Sequence, residues 1–184
     1  TNAIKKAYLK GQWQKMRRFE QQACRRFDSV IAVSAEDRDR IKNDYGAESV
    51  FDVPTGVDID FFKPAAEAPD EVHNIVFTGS MDWLPNQDAI QYFIEEIMPL
   101  IKPRVPDATL TVVGRNPPAS LVQLSKQDSS VRVTGRVEDV RPYIGSAGAY
   151  IVPIRIGGGT RLKIFEAMAM EKAVISGIAF NRDE

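Results

Sequence analysis

The spacing of apolar positions along the chain changes several times, and each change marks an element. Over residues 3–27 the apolar side chains Tyr8, Leu9, Trp13, Met16, Phe19 and Ala23 fall mostly three or four positions apart among Lys, Arg, Gln and Glu. That spacing predicts a helix with one narrow apolar stripe, a helix that packs on something larger than itself. Residues 29–33, Ser-Val-Ile-Ala-Val, form a short β-branched run and predict a buried parallel strand. Ser34, with Asp37 three residues on, is an N-cap signal for a helix that passes Ile41 and stops at Gly46. Residues 49–53 predict a second strand, closed by the turn signal Pro54-Thr55-Gly56. Two strands and one short helix do not close a core. Residues 1–56 therefore read as a helix plus the terminal βαβ unit of a second Rossmann-like domain, whose earlier part is absent from this chain.

Residues 57–72 hold Pro64, Pro69 and five acidic residues with little periodicity, and read as an interdomain linker. Beyond them, strands and helices alternate. Strands are predicted at 73–78, 108–113, 131–134, 149–153 and 172–176, and helices at 86–101, 118–127, 139–146 and 162–170. The helix at 86–101 is the clearest, with Ile90, Phe93, Ile94, Ile97 and Ile101 at helical spacing and Pro85-Asn86 as its start signal. Met168 and Met170 read as core residues of the last helix. Strict alternation of this kind means a parallel α/β sheet with helices on both faces, here a Rossmann-like domain over residues 73–184.

Composition narrows the possibilities. The 184 residues are 43% hydrophobic and 27% charged, which excludes a disordered, collagen-like or disulfide-scaffold chain. Lys+Arg number 24 against 25 Asp+Glu, and a net charge of -1 argues against a nucleic-acid partner. No apolar run approaches the roughly 20 residues of a membrane span, and residues 1–26 carry no signal-peptide pattern. Cys24 is the single cysteine, so no internal disulfide forms. The basic groups Lys15, Arg17, Arg18, Arg25 and Arg26 read as a solvated face, with a membrane surface or an anionic partner as the sharper alternative.

Chemistry in an open α/β sheet belongs at the carboxyl ends of the strands. Four predicted strands end there in glycine: Gly79, Gly114, Gly135 and the run Gly157-Gly158-Gly159. Helix N-termini just beyond offer unpaired N–H groups, so the expected ligand is an anion, most simply a phosphate or nucleotide. The stretch from Gly157 to Ala167 is the most informative. Its glycines lead directly into a helix, Thr160 is placed to cap it, and Arg161 and Lys163 add two cations beside its first turn, a combination suited to a diphosphate. Glu166 interrupts an otherwise apolar helix and needs a partner. A ribose diol is one, and an ion pair with Lys163 or Lys172 is the other. Neither GxGxxG after the first strand of this domain nor GxxxxGK[ST] is present, which argues against a dinucleotide oxidoreductase and a P-loop ATPase. One His and one Cys do not make a zinc site, and no metal is expected. His73 begins its strand, on the edge of the sheet away from any catalysis.

The motifs together resemble the group 1 family of retaining glycosyltransferases, which have two Rossmann-like domains facing a cleft. Residues 27–34 (FDSVIAVS) look like the last unit of the family's acceptor domain, and residues 53–58 (VPTGVD) resemble its "PNGVD" lead into the linker. Residues 83–86 (WLPN), 137–143 (VEDVRPY), 158–163 (GGTRLK) and 166–170 (EAMAM) are similar to a bacterial branch associated with surface polysaccharide. The resemblance implies a nucleotide-sugar donor domain that transfers a hexosyl-type sugar with retention and without a catalytic metal or cofactor. It puts the ribose-binding carboxylate on Glu166. It assigns backbone contacts with sugar and phosphates to Gly158, Gly159, Thr160 and Arg161, contact with the base to Gly135, Arg136 and Val137, and a place beneath the acceptor and phosphate side of the cleft to Gly79. A glycan or lipid-linked acceptor and the catalytic-site groups belong to the other domain, so the chain alone is expected to bind nucleotide without turnover. A cytoplasmic location follows, at the inner face of the membrane if the protein is peripheral.

Three positions depart from the family pattern. Gly158 stands where a donor-sugar glutamate is common, and Ser80 and Pro85 replace the usual diphosphate-binding Arg and Lys. Arg161 and Lys163 are expected to take over the phosphate. After Ser176 a small-residue loop and further elements are expected, and the chain reads as truncated there. Two readings of other classes stay open: a Rossmann-like interaction module that has lost its donor site, and a nucleotide-sugar epimerase of similar architecture.

Overall fold

The structure is a computed structural model that describes residues 2–64, 71–157 and 159–177. The chain divides into two compact units, Thr1–Thr55 and Gly56–Glu184.

The first unit holds α1 (Asn2–Cys24), β1 (Val30–Ala32), α2 (Ala35–Tyr45) and β2 (Val50–Asp52). The strands pair in parallel with Val30 opposite Val50. The Ser34 hydroxyl accepts the Asp37 N–H at 3.1 Å and donates to the Asp37 carboxylate at 2.8 Å, which starts α2. Gly46 ends it at φ 65°, a left-handed conformation that costs glycine no steric penalty. Arg38 crosses from α2 to Asp52 at 2.6 Å, and Tyr45 donates to Glu20 on α1 at 2.5 Å. The apolar stripe of α1 is open, with Trp13 54% and Phe19 67% exposed, and Ile31 and Phe51 are exposed on the strands.

The second unit is built on one parallel sheet of five strands among the described residues: β3 (Glu71–Thr78), β4 (Thr109–Val113), β5 (Val131–Gly135), β6 (Ala147–Val152) and β7 (Val174–Ser176). The spatial order is β5-β4-β3-β6-β7. Ile75 lies opposite Leu110 on one side, and Val76 opposite Tyr150 on the other. The connections reverse direction between β3 and β6, which makes that pair the topological switch point.

Helices cover both faces. On one, α3 (Leu84–Tyr92), a π turn (Phe93–Ile97), α4 (Met98–Ile101) and α5 (Ala119–Gln127) close over Phe77, Ile90, Phe93, Leu110 and Val112. On the other, α6 (Arg141–Ser146) and α7 (Leu162–Ala169) close over Val76, Ile144, Tyr150, Val152 and Met170. Fully burying such a side chain is worth about 1.5–3 kcal/mol.

Several expected boundaries shift, each for a local reason. The single helix expected at 86–101 is interrupted by the π turn. Pro99 has no N–H and its ring crowds the carbonyl of Glu95, and the wider turn just before it relieves that crowding. Pro85 stands in the first turn of α3 as the start signal implies, with Trp83 as an N-cap that makes no side-chain bond, while Asn86 is buried inside the helix. The helix expected from 139 begins at Arg141 with Val140 as its N-cap, and the Asp139 carboxylate, one residue outside, accepts the Arg141 N–H at 2.9 Å. Strand β3 begins at Glu71 rather than His73, and β6 at Ala147 rather than 149. Met168 is 57% exposed rather than core, and Met170, 1% exposed, carries that packing alone.

The ends of β3 and β4 touch backbone to backbone. A Cβ on Gly114 would lie 1.8 Å from the Gly79 carbonyl oxygen, an approach that no side chain tolerates. Gly114→Ala is therefore expected to lower stability by about 1–3 kcal/mol, read as a lower urea midpoint at unchanged slope.

Candidate functional site

The site grows from α7. Its first residues follow the glycine-bearing loop after β6, in which Gly157 and Gly159 sit at φ 104° and 85°. Arg161 is the N-cap of α7 and makes no side-chain cap bond. The expectation that Thr160 caps this helix is thus corrected: Thr160 lies exposed one residue outside, and the turn closes through the Ile164 N–H on the Arg161 carbonyl at 3.0 Å.

Lys163, in the first turn, reaches back across the end of β3. Its Nζ donates to the Thr78 carbonyl at 2.7 Å and to Asn86 Oδ1 at 3.4 Å, and lies 4.3 Å from the centre of the Phe77 ring. A Cβ on Gly79 would meet this Nζ and Asn86 Nδ2, each at 2.8 Å, so the absence of a side chain at Gly79 makes the arrangement possible. Burial pulls the Lys163 ammonium down to about 8; the nearby Glu166 carboxylate opposes the drop and Arg161 adds to it. Glu166 lies one turn further along α7, half-buried. Burial raises its carboxyl above the usual range, and Lys163 moderates the rise through space. Beneath them Tyr150 and Thr78 share a buried hydrogen bond of 2.5 Å, and burial drives the phenol well above its ordinary value.

The loop after β3 is held by a second polar set. Asn86 Nδ2 donates to the Ser80 carbonyl at 2.8 Å, and Gln87 Nε2 to the Met81 carbonyl at 2.6 Å. Ser80 donates to Asp82 at 2.6 Å, while Arg115 Nε donates to the Ser80 hydroxyl at 2.7 Å and Asn116 Nδ2 to Asp82 at 2.9 Å. The Ser80 and Asn116 donors hold the Asp82 carboxyl below its usual range. Over the ends of β3, β4 and β5 opens a cleft of about 330 Å³, lined by Thr78, Gly79, Gly114, Arg115, Arg136 and Val137 among others.

Of the expected site residues, Gly79, Arg136 and Val137 line this cleft, and Lys163 ends directly behind Gly79. Gly159, Thr160 and Arg161 form the approach to α7, where Arg161 donates to the Ile154 carbonyl at 3.4 Å. Gly158 lies outside the described residues. His73 sits at the opposite edge of the sheet, 2.7 Å from Asp107. Sequence reasoning missed Asn86, Thr78 and Tyr150. The available signal was polar residues in apolar strands and Asn86 so close to a helix start, since a buried amide or hydroxyl needs a partner.

This fold and site define a Rossmann-like α/β domain with a glycine-bearing cleft over the ends of β3, β4 and β5 and a lysine ammonium behind the glycine that ends β3. The family model for Glycosyl transferases group 1 matches residues 72–181, and the one for Glycosyltransferase Family 4 matches residues 2–61. The chain belongs to the group 1 glycosyl transferases. Among solved structures, TarM superposes with TM-score 0.70 at 15% identity, over 88% of this chain and 32% of its own. A glycosyltransferase from Rickettsia africae gives 0.64 at 17% identity, over 88% and 47%. HepE of Anabaena, solved with UDP and glucose, gives 0.65 at 16% identity, over 90% and 49%. The chain thus spans a third to a half of the length of these proteins. Aspartate kinase of Pseudomonas putida shares 52% identity over 44 residues, 21% of this chain and 11% of that enzyme, a stretch too short to carry a family.

The depressed Lys163 has a consequence for stability. Between about 8 and its ordinary 10.5 the unfolded chain binds the proton and the folded chain does not, so stability contributed by this group rises with pH across that window. Unfolding of the wild type and of Lys163→Met, followed by urea titration from pH 7 to 10.5, is expected to show that rise in the wild type alone.

Proposed function

We propose that the second unit is the donor-binding half of a glycosyltransferase that takes a sugar from a nucleoside-diphosphate sugar and transfers it with retention. In this reading the first unit is the terminal part of the acceptor-side domain, and the acceptor is a glycan or lipid-linked sugar handled at the inner face of the membrane. The observation that carries the reading is the ammonium of Lys163 directly behind Gly79 at the end of β3, with Glu166 one turn further along the same helix. Family membership supports it, as does the UDP and glucose bound by the similarly folded HepE.

The Glu166 carboxylate accepts the two ribose hydroxyls, which relieves the cost of its half-burial. The pyrophosphate lies between the amides of Gly159 to Arg161 at the start of α7 and the ammonium of Lys163. As the bond to the sugar breaks, negative charge grows on the departing diphosphate. The ammonium is already held in place by Thr78 and Asn86, so its charge needs little reorganisation during the step. Arg136 and Val137 offer backbone groups to the base along the cleft wall. Lys163 bonds to Thr78 and Asn86 rather than to Glu166, and the strand-end cleft is open; both weigh against a module that has lost its site.

Calorimetry with uridine and guanosine diphosphates tests this. Glu166→Gln is expected to weaken binding about 10–100-fold, the worth of hydrogen bonds to a charged group, and Arg161→Ala to weaken it as well. A folded sample that binds neither nucleotide, or one indifferent to Glu166→Gln, overturns the reading. The pH profile is a separate check. The ammonium attracts the diphosphate only while protonated, so affinity is expected to fall as pH rises above about 8 in the wild type and to stay level in Lys163→Met.

A further inference from the structure

The loop that carries Gly157 and Gly159 is secured to α3 at both of its ends. On the α7 side, Lys163 bonds to Asn86. On the β6 side, Arg155 forms a two-pronged pair with Asp88: Nη2 to Oδ1 at 2.7 Å and Nε to Oδ2 at 3.1 Å. The Arg155 guanidinium also lies 4.2 Å from the centre of the Tyr92 ring. Asp88 and Tyr92 are one helical turn apart, so one face of α3 supplies both the carboxylate and the ring. The Asp88 carboxylate, accepting two bonds, raises the guanidinium further above its ordinary range.

Arg155 is the last residue before the loop opens. Ile154 is buried in the core, whereas Ile156 is 46% exposed, and ideal Cβ positions on Gly157 and Gly159 meet no atom within 4 Å. No neighbour stands where a side chain on either glycine would point, so none fixes these positions from that side. What limits them is where the loop begins and where it ends.

We infer that Arg155 is a positioning residue for Gly157 and Gly159: held by Asp88 and Tyr92, it fixes on α3 the point where the chain leaves the core toward them, as Lys163 fixes on the same helix the point where it returns. The inference rests on the donor-site reading above. Its role is to make the loop amides converge on the diphosphate without a large ordering cost at binding. An arginine serves better than a lysine here because a planar fork matches a carboxylate with two bonds and stacks on a ring at once.

The test compares the wild-type chain with Arg155→Ala, Asp88→Ala, the double variant and Arg155→Lys. The readouts are thermal midpoint, uridine diphosphate affinity by calorimetry, and amide hydrogen exchange at Ile156, Gly157, Gly159, Thr160 and Arg161. Each single alanine variant is expected to weaken uridine diphosphate binding 3–10-fold and to speed exchange at those amides, at a melting temperature close to wild type. The double variant is expected to be no worse than either single one, since both remove the same clamp, and Arg155→Lys to recover part of the affinity. Wild-type affinity and wild-type exchange in Arg155→Ala overturn the inference, as do additive losses in the double variant. Should the wild type bind no nucleoside diphosphate, the donor reading fails on its own, and the exchange rates alone decide whether Arg155 orders the loop: faster exchange upholds that, unchanged exchange overturns it.

Discussion

The ammonium of Lys163 on the carbonyl of Thr78 is the contact on which the candidate site depends. It joins α7 to the last residue of the central strand, and through Asn86 it joins both to α3. These three elements meet where the strand order reverses, and a doubly wound sheet leaves a crevice there. A cation placed so deep loses hydration, which is why its proton is held less tightly than that of an ordinary lysine. The same burial makes it effective toward an anion, since a charge in a poorly solvated site acts more strongly than one in water.

Glycine supplies the room. At Gly79 a side chain would collide with the lysine and the asparagine, and at Gly114 with the neighbouring backbone. The two strand ends thus approach one another and the cationic group closely, and the cleft above them stays open. Tyr150 and Thr78 close the floor of this arrangement by satisfying each other. A buried hydroxyl left unpaired there would cost about 1–3 kcal/mol. The polar groups under the crevice are thus partnered before any ligand arrives, while Glu166, half-buried one turn along α7, is left for the proposed ribose.

The second unit's architecture was legible in the chain because each element carries its own period. Short apolar runs such as Ile75-Val76-Phe77 and Tyr150-Ile151-Val152 read as strands buried on both faces, and all but the partly buried Ile75 are buried. The alternation alone required a parallel sheet. Errors fell where a neighbour in space overrules a local signal. Asn86 looks like a helix start and is instead an internal bracket for Lys163 and Ser80. Thr160 looks like a cap, yet the helix begins one residue later. Met168 has the composition of a core residue but lies on the outward side of α7, because the short helix turns Ala167 and Met170 inward.

The sequence by itself determined the order of elements, the glycine at each strand end, and the presence of Lys163 and Glu166 on one amphipathic helix, since these follow from period and residue type along the chain. Tertiary structure alone decided what those residues face. That Lys163 reaches the end of β3, that Arg155 grips Asp88 sixty-seven positions earlier, and that Tyr150 shares its hydroxyl with Thr78 all depend on which strands lie side by side. Strand adjacency is set by long-range packing of buried faces, and local spacing carries no record of it.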